Sequence, residues 1–167
     1  MVEKIMFTKK TVQELAQVVV EKLTQAGLIA ATAESCTGGG VAYAITEISG
    51  SSLCFDRGFV TYSNDAKTQM LGIDELLIKE YGAVSEQVVE QMAIAAVQRS
   101  EADIAVAISG IAGPNGGTPE KPVGTVCISW YNAHSDGKTA TYQFVGDRTE
   151  VRTQAIRLAL VGIIEMI

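Results

Sequence analysis

The stretch Glu34-Ser35-Cys36-Thr37-Gly38-Gly39-Gly40 sets two kinds of nucleophile beside three glycines. A serine hydroxyl leaving a strand here lies close to the backbone amides of Thr37, Gly38 and Gly39. Such amides can bind a ligand phosphate, or stabilise the oxyanion that forms when serine attacks a carbonyl. The same residues also read as a plain helix start, with Ser35 or Thr37 as N-cap and the glycines making a tight turn. Cys36 is a rival nucleophile, since sulfur is intrinsically the stronger attacker. In extended backbone, neighbouring side chains point to opposite faces, so only one of the two can enter a given site. The loop matches neither a P-loop nor a dinucleotide-binding glycine pattern.

A serine needs a general base. His134 is the only histidine, and it sits among Asn132, Ser135, Asp136 and Gly137, a composition that suits an exposed hairpin loop. That leaves little room for a Ser-His-Asp triad and excludes a multi-histidine metal centre. A lysine can serve once its pKa falls towards neutrality. If Ser63 or Asn64 caps a helix, Lys67 falls in the first turn, where the macrodipole disfavours an ammonium. The dipole supplies only about 0.3–1 kcal/mol, less than one pKa unit, so burial must provide most of the shift. Taken without context, Lys67 reads equally as a solvated surface lysine. A second loop, Ser109 to Gly124, holds all three prolines and five glycines. It suits a ligand-shaping loop after a buried strand, or a long crossover covering the sheet end.

These residues need a scaffold, and the pattern of elements supplies one. Thr11 and Glu14 form a capping box before a helix with Val12, Leu15, Val19 and Leu23 on one face, stopped at Gly27. Leu28 to Ala33 reads as a buried strand leading into the Ser35 loop, followed by a helix marked by Val41, Ala44, Ile45 and Ile48. Gly58 to Tyr62 reads as a strand, Ser85 to Arg99 as a helix and Ile104 to Ser109 as a buried strand. Thr125 to Tyr131 and Thr139 to Val145 bracket a hairpin. Asp147 and Glu150 open a last helix from Arg148 to about Glu165. The alternation predicts an α/β protein of three layers, α/β/α, with a mixed, mostly parallel sheet of about five strands. Ligands of such sheets collect beyond the carboxyl ends of the strands, where Ser35 stands.

Composition sets the bounds. At 167 residues, 47% of them hydrophobic and 19% charged, the chain suits one packed domain over 1–167, with a core of about 10–165. A net charge of -6 opposes a sequence-independent grip on nucleic acid. No apolar run is long enough to span a membrane, and Met1 to Lys10 lack a signal-peptide pattern. Cys36, Cys54 and Cys127 are odd in number and widely spaced, which fits reduced thiols in the cytoplasm and no zinc site.

The motifs TAESCTGG, RGFVTYSNDAKTQMLG, YGAVSEQVVEQMA, SGIAGPNGGTPEKPVGTV and GDRTEVR, in this order, resemble the CinA C-terminal domain family. The resemblance spans about residues 10 to 165 and is closest to the stand-alone form, nicotinamide-nucleotide amidase. It implies hydrolysis of nicotinamide mononucleotide to nicotinic acid mononucleotide and ammonia, in pyridine nucleotide recycling, by a Ser/Lys mechanism. Carried over by motif, Ser35 is the nucleophile, Lys67 its base, and Tyr62 a group that orients or relays the proton. Thr37, Gly38, Gly39, Ser109, Gly110 and Thr118 are expected in the substrate pocket. Arg148 is expected at the phosphate or as a loop anchor, and helix N-termini after Ser35 and Asp147 are expected to offer amides to the anion. The scheme needs no metal and no organic cofactor. A homodimer is expected from the resemblance alone. Two other functions fit the same motifs: a catalytically silent nucleotide-binding domain, and a competence-related partner domain.

Overall fold

The computed structural model describes residues 10–167. The expectation about a signal peptide over residues 1–10 therefore lies, but for Lys10, outside the described residues. In chain order the elements are α1 (Val12–Ala26), β1 (Ala30–Glu34), α2 (Gly40–Thr46), β2 (Phe55–Val60), α3 (Asn64–Leu71), α4 (Glu75–Tyr81), α5 (Glu86–Gln98), β3 (Ile104–Gly110), β4 (Thr125–Asn132), β5 (Ser135–Gln143) and α6 (Arg148–Met166). A short 3-10 turn at Ser51–Leu53 precedes β2. No helix among the described residues is long and apolar enough to cross a membrane.

The strands form one sheet in the order β2-β1-β3-β4-β5. β1 pairs in parallel with both β2 and β3, and the β3–β4 and β4–β5 pairs are antiparallel. Four of the five strands thus run the same way and β4 opposes them, which is the three-layer mixed sheet expected from the pattern. Because strand side chains alternate, β3 divides its own between the two faces. Ile104, Val106 and Ile108 pack with Leu15, Leu23, Ile45 and Leu160 from α1, α2 and α6. Ala105 and Ala107 pack with Leu71, Val88, Val89 and Met92 from α3 and α5.

The helix ends are set by local chemistry. Thr11 and Glu14 make the α1 capping box, and Gly27 closes α1 in the left-handed region at φ 67°. Asp147 and Glu150 form a second box at α6. Two elements differ from the pattern. β2 begins three residues earlier than Gly58, because it is a mostly exposed edge strand that carries Asp56 and Arg57 and so lacks an apolar signature. α4 was not marked by any periodic stripe; of its seven residues only Ile78 is buried. The hairpin is also tighter than expected, with Asn132 paired directly to Ser135.

Trp130 shows how tightly the layer of α6 sits on the sheet. Its indole N–H donates to the Ala159 carbonyl at 2.9 Å, and a methyl group at Gly162 would overlap the ring. Alanine normally favours a helix interior over glycine by about 1 kcal/mol. Gly162→Ala is nevertheless expected to destabilise the fold, by about 1–3 kcal/mol in chemical denaturation, because overpacking outweighs propensity. A stabilised variant would mean the α6–β4 contact is loose.

Candidate active site

The order β2-β1-β3 makes the carboxyl end of β1 the switch point of the sheet, since the chain leaves β1 over one face and returns to β3 over the other. Ser35 is the first residue beyond β1, tied to β3 by its amide, which donates to the Ile108 carbonyl at 2.9 Å. Its side chain shares the α3–α5 face with Ala33, whereas Cys36 packs into the opposite cluster under α1, α2 and α6. The two side chains thus stand on opposite faces of the sheet, with Ser35 alone beside Lys67. Burial also pushes the Cys36 thiol up to about 12, so it carries no thiolate at neutral pH.

Lys67 meets Ser35 from the next helix. Ser63 is the N-cap of α3, its hydroxyl accepting the Ala66 amide at 3.0 Å, so Lys67 lies at the end of the first turn. The side chain is 1% exposed. Its ammonium nitrogen lies 3.1 Å from Ser35 Oγ and 2.9 Å from the Thr61 carbonyl oxygen. Thr61 follows β2 and is itself tied to β1, its amide donating to the Glu34 carbonyl at 2.8 Å. Burial holds the Lys67 pKa below its ordinary 10.5, against a smaller opposing effect of Cys36. A serine hydroxyl beside a desolvated amine is a nucleophile–base pair for acyl transfer.

The loop between β1 and α2 is held from unexpected quarters. Gly38 and Gly39 take left-handed φ values of 61° and 90°. Gly39 occupies the N-cap of α2 without a side-chain bond. The cap comes from Glu34, a fully buried carboxylate. It accepts the Thr37 hydroxyl at 2.7 Å and the Val41 and Ala42 amides at 3.1 and 2.9 Å. Of the amides at the α2 N-terminus, Glu34 thus takes those of Val41 and Ala42. In the loop itself, the Gly38 amide donates to Ser35 O at 3.0 Å and the Gly40 amide to Thr37 O at 3.2 Å. Among the described residues the Thr37 and Gly39 amides donate to no backbone carbonyl.

Other expected residues divide. Ser109, the last residue but one of β3, lies on the Ala105–Ala107 face, one residue beyond the Ile108 that pairs with Glu34, so it stands beside Ser35 and is 1% exposed. Gly110 is a close-approach position: a Cβ there would press on Val126 and lie 3.1 Å from Cys36 Sγ. Thr118 is held in a turn, its hydroxyl accepting the Lys121 amide at 3.1 Å and its own amide donating to Lys121 O at 2.9 Å. Tyr62 is exposed, and its hydroxyl is bonded to Arg148 rather than to the Ser35–Lys67 pair. Arg148 donates to the Tyr62 hydroxyl at 3.0 Å and to the carbonyl of Gly113, in the second glycine loop, at 2.8 Å. Among the described residues Arg148 makes no ion pair with the nearby Glu150, whose carboxylate accepts the Asp147 amide. Arg148 also borders a cleft of about 530 Å³ with Ala112, Pro114, Val123 and Asp147.

Two contributors escaped the sequence reading. Glu34 is one, since capping seven residues ahead from a strand has no local signature. Arg152 is the other: one turn after Arg148, it donates to the Thr37 carbonyl at 3.0 Å while its Nε is buried without a partner. Among the described residues neither arginine pairs with a carboxylate. His134 lies at the other end of the sheet, 66% exposed and 3.0 Å from Asp103, just before β3 begins. No cluster of metal-ligating side chains occurs among the described residues.

Similarity to other proteins agrees with this architecture. The nicotinamide-nucleotide amidohydrolase PncC of Escherichia coli strain K12 is 52% identical over 153 residues, covering 92% of this chain and 93% of that one. A Pseudomonas putida protein of the same name is 51% identical over 138 residues, covering 81% and 84%. A CinA-like protein of Akkermansia muciniphila is 51% identical over 151 residues, which make up 90% of this chain but 36% of that longer protein. The crystal structure of the competence/damage inducible protein CihA from Agrobacterium tumefaciens superposes with a TM-score of 0.91 at 46% identity, covering 93% and 94%. The CinA C-terminal domain family matches residues 12–167, and the chain belongs to it.

Proposed function

We propose that this chain hydrolyses the carboxamide of nicotinamide mononucleotide to nicotinic acid mononucleotide and ammonia, with Ser35 as nucleophile and Lys67 as general base. The observation that carries the reading is the 3.1 Å contact between Ser35 Oγ and the buried Lys67 amine at the sheet's switch point. The substrate comes from the relatives that share about half of its residues and are named nicotinamide-nucleotide amidohydrolases.

Neutral Lys67 takes the Ser35 proton as Oγ bonds to the carboxamide carbon. The oxyanion faces the Thr37 and Gly39 amides. Lys67 then returns the proton to the nitrogen, the C–N bond breaks and ammonia leaves. Water then bonds to the acyl carbon as Lys67 takes its proton, the bond from Ser35 Oγ to that carbon breaks, and Lys67 returns the proton to Oγ as the acid leaves. The Thr61 carbonyl fixes the amine within reach of Ser35 throughout. Tyr62 acts through Arg148, orienting the mouth of the site. Homodimer formation and a cytoplasmic setting belong to the same reading. The former is checked by light scattering.

Arg148 supplies a local cation for the phosphate in a chain of net charge -6. Loss of one charge-assisted contact costs about 1.5–3 kcal/mol, or roughly ten- to a hundredfold in kcat/KM. Ammonia release from nicotinamide mononucleotide is expected to exceed release from nicotinamide riboside. Arg148→Ala is expected to narrow that gap by the same factor. Equal losses on both substrates would reduce Arg148 to a loop anchor. Saturable binding of the nucleotide without ammonia release would instead favour a silent binding domain.

A further inference from the structure

Thr37, two residues past the catalytic serine, is gripped from two sides. It is fully buried, its hydroxyl donates to the Glu34 carboxylate at 2.7 Å, and its carbonyl accepts from Arg152 Nη2 at 3.0 Å, across 115 residues of sequence. Both partners belong to the scaffold. The fully buried Glu34 carboxylate also takes the Val41 and Ala42 amides, which locks it to the start of α2. Arg152 stands on the face of α6 that packs on the loop. A Cβ at Gly38 would lie 3.6 Å from its Nη2, and one at Gly40 would overlap Ile156, one turn further along α6. In this pose the Arg152 Nε is buried without a partner among the described residues. A buried donor left unpaired destabilises a fold, so stability alone does not account for the placement.

The clamp bears on the reacting pair through short links. The Gly38 amide closes the turn onto the Ser35 carbonyl at 3.0 Å, so a shift of Thr37 moves Ser35. The Glu34 carbonyl accepts the Thr61 amide at 2.8 Å, and the Thr61 carbonyl accepts from the Lys67 amine at 2.9 Å. Glu34 thus joins the loop that carries the nucleophile to the segment that holds the base. We propose that Arg152 and Glu34 are a positioning pair, clamping Thr37 by its carbonyl and its hydroxyl so that Ser35 Oγ stays within reach of Lys67. The inference rests on the Ser35–Lys67 reading and adds two residues that act through Thr37 without touching substrate.

The test compares Arg152→Met, Arg152→Lys and Glu34→Gln with the parent chain. Ammonia release from nicotinamide mononucleotide gives kcat and KM, and the rate at which a fluorophosphonate labels Ser35 reads the nucleophile without the nucleotide. Arg152→Met keeps the length of the stem and removes the donor. It is expected to lower kcat about 10- to 100-fold and to slow labelling by a similar factor, with KM within about threefold of the parent. Arg152→Lys can still donate to the Thr37 carbonyl and is expected to regain most of the loss. Glu34→Gln sets an amide N–H against the donors of α2 and is expected to lose kcat in the same way. The double variant is expected to lose no more than its worse single, because both act through Thr37. If Glu34→Gln does not fold, the two Arg152 variants decide the matter. Parental kcat and labelling in Arg152→Met would overturn the clamp and leave the Ser35–Lys67 reading standing. Lost turnover with parental labelling would also overturn it, assigning Arg152 to the substrate. A parent that releases no ammonia while Arg152→Met shows slowed labelling would overturn the substrate reading and uphold the clamp.

Discussion

Ser35→Ala is expected to lower kcat for ammonia release by at least about 10⁴-fold with the fold intact, whereas Cys36→Ala keeps activity within a few-fold of the parent. The first figure follows from losing covalent catalysis altogether, because among the described residues no other hydroxyl is bonded to the Lys67 amine. The second follows from placement. The Cys36 side chain lies on the far face of β1 from Lys67, and burial holds its thiol protonated at about 12. Removing that thiol also leaves only a small void beside Gly110, which approaches Cys36 Sγ closely. Circular dichroism and Tm of both variants separate loss of chemistry from loss of fold. Turnover surviving in Ser35→Ala, or vanishing in Cys36→Ala, would refute the assignment of the nucleophile.

Lys67→Arg is expected to be almost as damaging as Lys67→Ala, each losing about 10²–10⁴-fold, although arginine keeps the charge. A guanidinium does not give up its proton in this pH range, so it cannot act as a base. In the parent enzyme, kcat/KM is expected to rise with pH as Lys67 loses its proton, with a midpoint below 10.5. Near-parental turnover in Lys67→Arg would make the residue a provider of charge and send the search for a base elsewhere. The same shift bears on stability. Because burial lowers the folded pKa, the unfolded chain binds the extra proton between that pKa and 10.5. Lys67 therefore opposes folding in full below its folded pKa, and stability rises with pH through that window. At 1% exposure, its placement costs the fold stability at neutral pH.

Where local physics decides an element, the sequence by itself determined it. Thr11, Ser63, Ser85 and Asp147 each cap a helix with their own side chain, and a cap needs only the next three residues. The buried runs of β1 and β3 announce themselves by apolar content, and so does the alternation of helix and strand that makes three layers. The order of β1, the glycine loop and α2 likewise set Ser35 at a strand end. What pattern left open was every contact between segments distant in the chain. Pattern leaves open which of Ser35 and Cys36 meets the other segments; the tertiary structure puts Ser35 beside Lys67 and Cys36 on the opposite face of the sheet. Lys67 reads as a surface lysine as readily as a base, because burial is a property of packing; α3 lying over the β1–β2 junction buries it beside Ser35. Glu34 and Arg152 went unread for the same reason. Their partners, Val41 and Ala42 for one and the Thr37 carbonyl 115 residues away for the other, are neighbours only once the sheet has formed. Capping and periodicity are short-range and survive in a one-dimensional reading. Desolvation and long-range hydrogen bonds depend on which faces meet, and only the tertiary structure determines that.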